Sequence, residues 1–145
     1  MVVRRAALAA VLAMSAPLAV ACANSVAPDV VTAYVPGNDA AAIEAVAAQC
    51  ADGYRVSVVR LPKDADGQRL QLARRLAGGD SGVDVFAMDV TWTAEFAEAG
   101  WARPVPDDLA APLGQSVLGG PLATATWRRP DDAAPRLYAV PTWAN

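Results

Sequence analysis

Asp84-Val-Phe-Ala-Met-Asp-Val-Thr-Trp-Thr-Ala-Glu-Phe-Ala-Glu-Ala-Gly-Trp-Ala-Arg-Pro104 is the stretch whose reading decides the fold. Residues 83–88 form a short, nearly continuous apolar run, the pattern of a strand covered on both faces. Residues 89–93 are a polar turn with Asp and Thr available to cap a helix. Residues 94–99 then read as a short helix, stopped by Gly100. Asp89 thus falls just past the carboxyl end of a strand, which is where open α/β sheets bind their ligands. A carboxylate accepts hydrogen bonds from hydroxyls, and an indole beside it, Trp92, packs on the apolar face of a sugar ring. Each residue also has a plainer role: Asp89 as a helix N-cap worth about 1 kcal/mol, and Trp92 as core packing.

Upstream, residues 30–35 are apolar and β-branched and read as a first strand. The turn Pro36-Gly-Asn-Asp39 follows, with Asn38 or Asp39 placed to cap a helix that runs to about Cys50. The apolar stripe of that helix is Ile43, Val46, Ala47 and Cys50, which makes Cys50 a small buried apolar residue. Residues 54–61 are a second strand and residues 62–67 a loop. Gly67 or Gln68 opens a second helix with Leu72, Ala73, Leu76 and Ala77 facing in, and Arg69, Arg74 and Arg75 mostly out. Strand, helix, strand, helix, strand is the signature of an α/β fold with a parallel sheet and right-handed crossovers. The first turn holds only Gly37, so the dinucleotide fingerprint is missing, and nothing resembles a phosphate-binding P-loop. No cofactor is expected.

Downstream of Pro104 the chain turns to Pro, Gly and Ala. Residues 107–113 and 121–127 read as short helical turns, 131–135 as an exposed loop and 136–140 as a strand closed by Pro141.

The N-terminus reads as an export signal: Arg4 and Arg5, then an apolar stretch over residues 6–20, then Leu18-Ala-Val-Ala-Cys22. Small residues before a Cys are the bacterial lipobox pattern, which makes Cys22 a lipid anchor and the protein a lipoprotein on the outer face of the cell membrane. The alternative is an ordinary signal peptide cleaved after Ala21. Residues 1–21 are then the signal and 22–29 the lipidated Cys and its tether. The formal charge is −3 and removal of Arg4 and Arg5 makes the mature chain more acidic; without a basic patch, nucleic acid is not a partner. The chain holds no His and two Cys, which excludes Ser-His-Asp and Cys-His catalysis, a His-ligated zinc and a thiolate metal cluster.

Four motifs resemble one family: residues 68–76, Gln-Arg-Leu-Gln-Leu-Ala-Arg-Arg-Leu; residues 84–101, quoted above; residues 120–127, Gly-Pro-Leu-Ala-Thr-Ala-Thr-Trp; and residues 137–141, Leu-Tyr-Ala-Val-Pro. They resemble the first lobe of the sugar-binding lipoproteins of bacterial ABC importers (solute-binding protein family 1), in particular the trehalose-binding ones of high-GC Gram-positive bacteria. The resemblance implies a periplasmic-binding-protein-like lobe over residues 30–145, with a mainly parallel sheet flanked by helices and the second lobe missing, so that the chain reads as a truncated form. It also implies a non-enzymatic role: a carbohydrate, in the first instance a disaccharide such as trehalose, is bound between two lobes and passed to the membrane permease subunits of an importer. It places Asp89, Asn38 and Asp39 in the cleft. Asn145 matches a polar position after the family's Tyr-Ala-x-Pro strand, and Trp143 beside it departs from the small polar residues usual there. The competing readings are a lipid-anchored carbohydrate-active enzyme, for which Glu95 and Glu98 are the paired carboxylates, and an inactive fragment. At a spacing of three on a solvent-facing helix, Glu95 and Glu98 read more readily as an exposed charged face.

Overall fold

The computed structural model describes residues 30–50 and 53–142. Along them run β1 (Val30–Pro36), α1 (Ala40–Cys50), β2 (Arg55–Leu61), α2 (Ala65–Ala77) and β3 (Val85–Phe86). The three strands pair in parallel in the order β2-β1-β3, so β1 is central and the chain crosses over it to reach β3. Because side chains alternate across a strand, β1 serves two cores. Ala33 and Val35 face Ala40 and Ile43 of α1, with Val56 and Val58 of β2 beside them. Tyr34 points the other way, into a cluster with Leu61, Leu72, Phe96 and Ala97. Its neighbours in register are Val59 on one side and Phe86 on the other. Helices therefore cover both faces, and the molecule is an α/β lobe of the periplasmic-binding-protein kind.

Several expectations from the sequence are corrected. The third strand has two residues instead of spanning 83–88. The Asp84 carboxylate explains one end: its Oδ2 accepts the Thr32 N–H at 2.8 Å, so a side chain takes the donor that a longer ladder would have met with a backbone carbonyl. Single bonds flank the strand, from Asp84 N–H to the Thr32 carbonyl (3.3 Å) and from Ala87 N–H to the Tyr34 carbonyl (2.8 Å). Nor is this strand covered on both faces, since Val85 is 55% exposed. In α1, Val46 and Cys50 are exposed instead of buried. Alanines on every side of that helix leave its apolar periodicity flat, so spacing alone does not tell which face is inside. Ile43 and Ala40 meet the sheet, and Cys50 lies at the far end of the helix from them.

The second helix begins earlier than Gly67, at Ala65. Asp64 is its N-cap, accepting the Gly67 N–H at 2.7 Å. Gly67 is glycine for a steric reason: a Cβ there would stand 2.9 Å from both Asp64 carboxylate oxygens and 3.1 Å from Pro62 Cβ. Buried Gln68 secures the same loop by donating to the Pro62 and Lys63 carbonyls at 2.9 and 3.3 Å. On α2, Leu72 faces in as expected, while the Arg75 guanidinium stacks 5.3 Å from the centre of the Tyr34 ring and Arg69 reaches across to the next helix.

After β3 the chain makes a 3-10 turn at Val90–Trp92 and then α3 (Thr93–Glu98). Gly100 ends this segment with φ +71, the left-handed conformation that favours glycine. Next come α4 (Asp107–Ser116) and α5 (Gly119–Thr124). The first carries on three residues past the expected end despite Pro112, with Asp107 and Asp108 placed favourably in its first turn. β4 (Thr126–Trp127) and β5 (Arg136–Leu137) form an antiparallel pair, so Trp127 is strand and not the end of a helix. Their connection is held by Asp132, which accepts the Arg129 N–H at 3.0 Å and the Tyr138 hydroxyl at 3.1 Å. The Arg129 N–H is the main reason the Asp132 carboxyl lies below the usual carboxylate range, and burial pushes the Tyr138 hydroxyl up. The Val105 N–H ties this hairpin back to the lobe through the Leu137 carbonyl at 2.7 Å.

Candidate binding site at the carboxyl edge of the sheet

Three parallel strands end at one edge, and each end is followed by an acid that opens the next helical segment. β1 leads to Asn38 and Asp39, β2 to Asp64, and β3 to Asp89. The grouping follows from parallel pairing alone: Pro36 lies opposite Leu61, and Tyr34 opposite Phe86. Asn38, Asp64 and Asp89 are exposed and Asp39 is half-buried.

Asp89 is the most closely defined of them. Its backbone is extended, at φ −68 and ψ 146, as an N-cap requires. One carboxylate oxygen, Oδ1, accepts both the Thr91 N–H at 2.9 Å and the Thr91 hydroxyl at 2.8 Å. The capping role weighed for this residue is therefore present. It occupies only half of the group, since among the described residues no donor lies on Oδ2. A carboxylate offers about four lone-pair positions, of which the cap uses two, and the residue as a whole is exposed.

Asn38 and Asp39 are arranged differently. The Asp39 N–H closes a turn on the Pro36 carbonyl at 3.0 Å, and its own carbonyl receives the Ile43 N–H at 3.0 Å. Its carboxylate accepts the Asn38 side-chain amide at 3.0 Å. The turn thus offers one amide oxygen and one carboxylate to the edge. Asp64 is a member that sequence reading missed. The signal was available, an acid three residues before Gly67 and three after the end of a strand, but it was absorbed into a loop.

Trp92 does not belong to this edge in the way the sequence suggested. Its side chain is 5% exposed and lies nearly parallel to Phe96, with ring centres 6.0 Å apart. Phe96 in turn meets Phe86 at 5.6 Å and the edge of Trp101 at 5.3 Å. The indole is taken up by the core, so it is not a stacking platform for a ring from solvent. Asn145, Trp143 and Cys22 lie outside the described residues.

Glu95 and Glu98, the pair weighed as catalytic carboxylates, have structural partners. Glu95 receives Arg69 in a two-pronged ion pair at 2.6 Å for each bond, which holds the guanidinium even more firmly protonated. Glu98 accepts the Trp127 indole N–H at 2.8 Å. These contacts join α3 to α2 and to β4. An open recess of about 380 Å³, lined by Glu44, Ala47, Ala48, Tyr54, Arg55 and Val56, lies at the opposite, amino end of β2 and shares no residue with the acidic edge.

A parallel sheet with helices on both faces, presenting polar groups at its carboxyl edge without a phosphate-binding loop, is the architecture of a solute-binding lobe. The chain belongs to the bacterial extracellular solute-binding proteins, whose family model matches residues 32–143. That family consists of binding proteins, not enzymes; its members hold a solute outside the cell for ABC permeases to import. Among the described residues no helix is long and apolar enough to cross a membrane.

Proposed function

We propose that the solute is a carbohydrate, a disaccharide such as trehalose in the first instance, captured at the carboxyl edge by Asp89 with Asn38 and Asp39. The observation that carries this reading is the half-used carboxylate of the exposed Asp89 after β3: its Oδ1 holds the cap, and no described residue donates to its other oxygen. Carboxylate and amide oxygens accept hydroxyl protons, and such charge-assisted bonds are worth roughly 1.5–3 kcal/mol each. Asn145 is proposed as a further polar contact. The described edge is a single open wall, so the reading includes a second wall that closes over the sugar by a hinge motion.

The test is an NMR titration of the 145-residue chain with trehalose. With one wall only, most sugar contacts are unmade, so the dissociation constant is expected in the range of about 1 mM or weaker, below the reach of ordinary calorimetry. Amide shifts should change at residues 37–39 and 89–91 and leave α4 and the recess lined by Tyr54 untouched. Shifts confined to other surfaces would remove this edge from the site, and micromolar binding would show that the site is built differently.

The lipobox reading of Cys22 supplies the proposed location: a thiol carrying a diacylglycerol on the outer face of the membrane, with more than one acyl chain as stable anchoring requires. Cys22→Ala should free the protein into the medium and abolish acyl labelling. Equal membrane retention of both forms counts against the anchor.

A further inference from the structure

We propose that the β4–β5 hairpin carries a second carbohydrate contact, a stacking platform on Trp127 for the apolar face of a pyranose ring. The inference rests on the reading of the solute as a carbohydrate, and not on the acids of the carboxyl edge. Trp92 and Trp101 both pack on Phe96 in the core cluster. Trp127 is different: it is 38% exposed, and among the described residues no ring or guanidinium stacks on it. The cross-strand register explains why it faces out. In the antiparallel hairpin Thr126 pairs with Leu137, and Trp127 with Arg136. Directly opposite residues share one face of a sheet; the first pair is half-buried and the second exposed. Trp127 therefore stands on the exposed face beside the Arg136 side chain. From α3 the exposed Glu98 accepts the indole N–H at 2.8 Å. That bond satisfies the one polar atom of the indole and restrains its plane. What the ring offers to solvent is then apolar surface, with a carboxylate acceptor and a guanidinium donor at its margin. This combination suits a pyranose, whose C–H face packs on an aromatic ring while the hydroxyls around its rim meet an acceptor and a donor. A purely apolar partner would cover Glu98 and Arg136 without meeting their hydrogen-bonding needs. Asp89 opens the helical segment that Glu98 closes, so the platform is a contact separate from the carboxyl edge.

The experiment is an NMR titration of the full chain with methyl β-glucopyranoside, a single pyranose, and with sorbitol, an open-chain polyol that has hydroxyls but no ring face. In the wild type the glycoside should move the Trp127 indole signal and the Glu98 and Arg136 amides together, with a dissociation constant of about 1 mM or weaker. The core indoles Trp92 and Trp101 should stay in place, and sorbitol should move none of these signals. Trp127→Phe keeps a ring and should weaken the response of the two amides by about two- to tenfold; Trp127→Ala should abolish it. Unchanged Trp92 and Trp101 signals report that a variant is folded, and Trp127→Phe carries the test if Trp127→Ala is not. A wild-type Trp127 signal that ignores the glycoside, or that responds equally to sorbitol, overturns the platform, as does an undiminished response in the folded variants. Failure of the carbohydrate reading itself looks different: neither the glycoside nor trehalose then moves Trp127 or the amides of residues 37–39 and 89–91. If those edge amides respond while Trp127 stays silent, the platform alone is lost.

Discussion

Phe96→Ala should lower the unfolding free energy by about 3–5 kcal/mol, the range for removing a fully buried aromatic ring. Phe96 and Leu72 are the largest side chains with no accessible surface. Phe96 is also the hub of the aromatic cluster, with Phe86, Trp92 and Trp101 ring centres at 5.6, 6.0 and 5.3 Å. Its removal leaves a cavity lined by rigid rings that collapse poorly, and aromatic contacts add about 0.5–1.5 kcal/mol each beyond area. A domain of this size has about 5–15 kcal/mol to lose, so the variant should sit close to unfolding. The same ring joins β3 to the turn that carries Asp89, and the site should loosen with the core. Urea unfolding followed by tryptophan fluorescence reads the effect directly, because Trp92 and Trp101 touch the mutated ring. A loss below about 1 kcal/mol is incompatible with a cluster organised on Phe96.

Asp89→Asn has its largest effect elsewhere, on affinity. The hydrogen bonds make this substitution unusually discriminating. An Asn side chain keeps one oxygen, which can remain under the Thr91 N–H and hydroxyl and preserve the cap. The atom that changes is the outer one: an accepting oxygen becomes an NH₂ donor, and the charge is lost. In a two-lobed protein carrying this lobe, carbohydrate affinity should therefore fall about ten- to a hundredfold, equivalent to about 1.4–2.8 kcal/mol, with little change in the melting temperature of the free protein. A purely capping residue gives the opposite pattern, with stability reduced by about 1 kcal/mol and affinity intact. Asp89→Ala should show both losses together, since it removes the cap and the acceptor at once. Unchanged affinity in Asp89→Asn takes Asp89 out of the site.

The two substitutions also show how the lobe divides its labour. The stretch from Val85 to Trp101 provides an aromatic inner side, with Phe86, Trp92, Phe96 and Trp101, and an outer side with Asp89 and Thr91. The inner side holds the turn in place by burial, and the outer side, with Asp89 and Thr91, is exposed. Glu95 and Glu98 extend the same segment sideways, to Arg69 and Trp127, which accounts for both carboxylates without chemistry.

What the residues determined by themselves was the order of elements and the edge at which the strand-to-helix turns gather. Alternating apolar strands and helices, with Gly100 as a stop, specify a parallel sheet, and parallel pairing brings every strand-to-helix turn to one side whatever the side chains do. Asp89, Asn38 and Asp39 were therefore legible as edge residues from position, whereas the family was legible only from the resemblance of residues 68–76, 84–101, 120–127 and 137–141 to its members. Tertiary structure decided the rest, because each remaining question concerned a partner distant in sequence or a choice between faces. Whether Trp92 meets solvent or core depends on Phe96 standing one helical turn away against β3, and an aromatic residue beside an acid reads the same in either case. The burial of Cys50 depends on which side of an alanine-rich helix meets the sheet, which a uniform helix does not declare. The length of β3 depends on Asp84 reaching Thr32, fifty-two residues earlier, and no local pattern marks a carboxylate that will replace a carbonyl. The division of Asp89 into one occupied and one open oxygen likewise needed coordinates: the sequence places Thr91 two residues on, and only the fold turns its hydroxyl and its N–H onto the same atom.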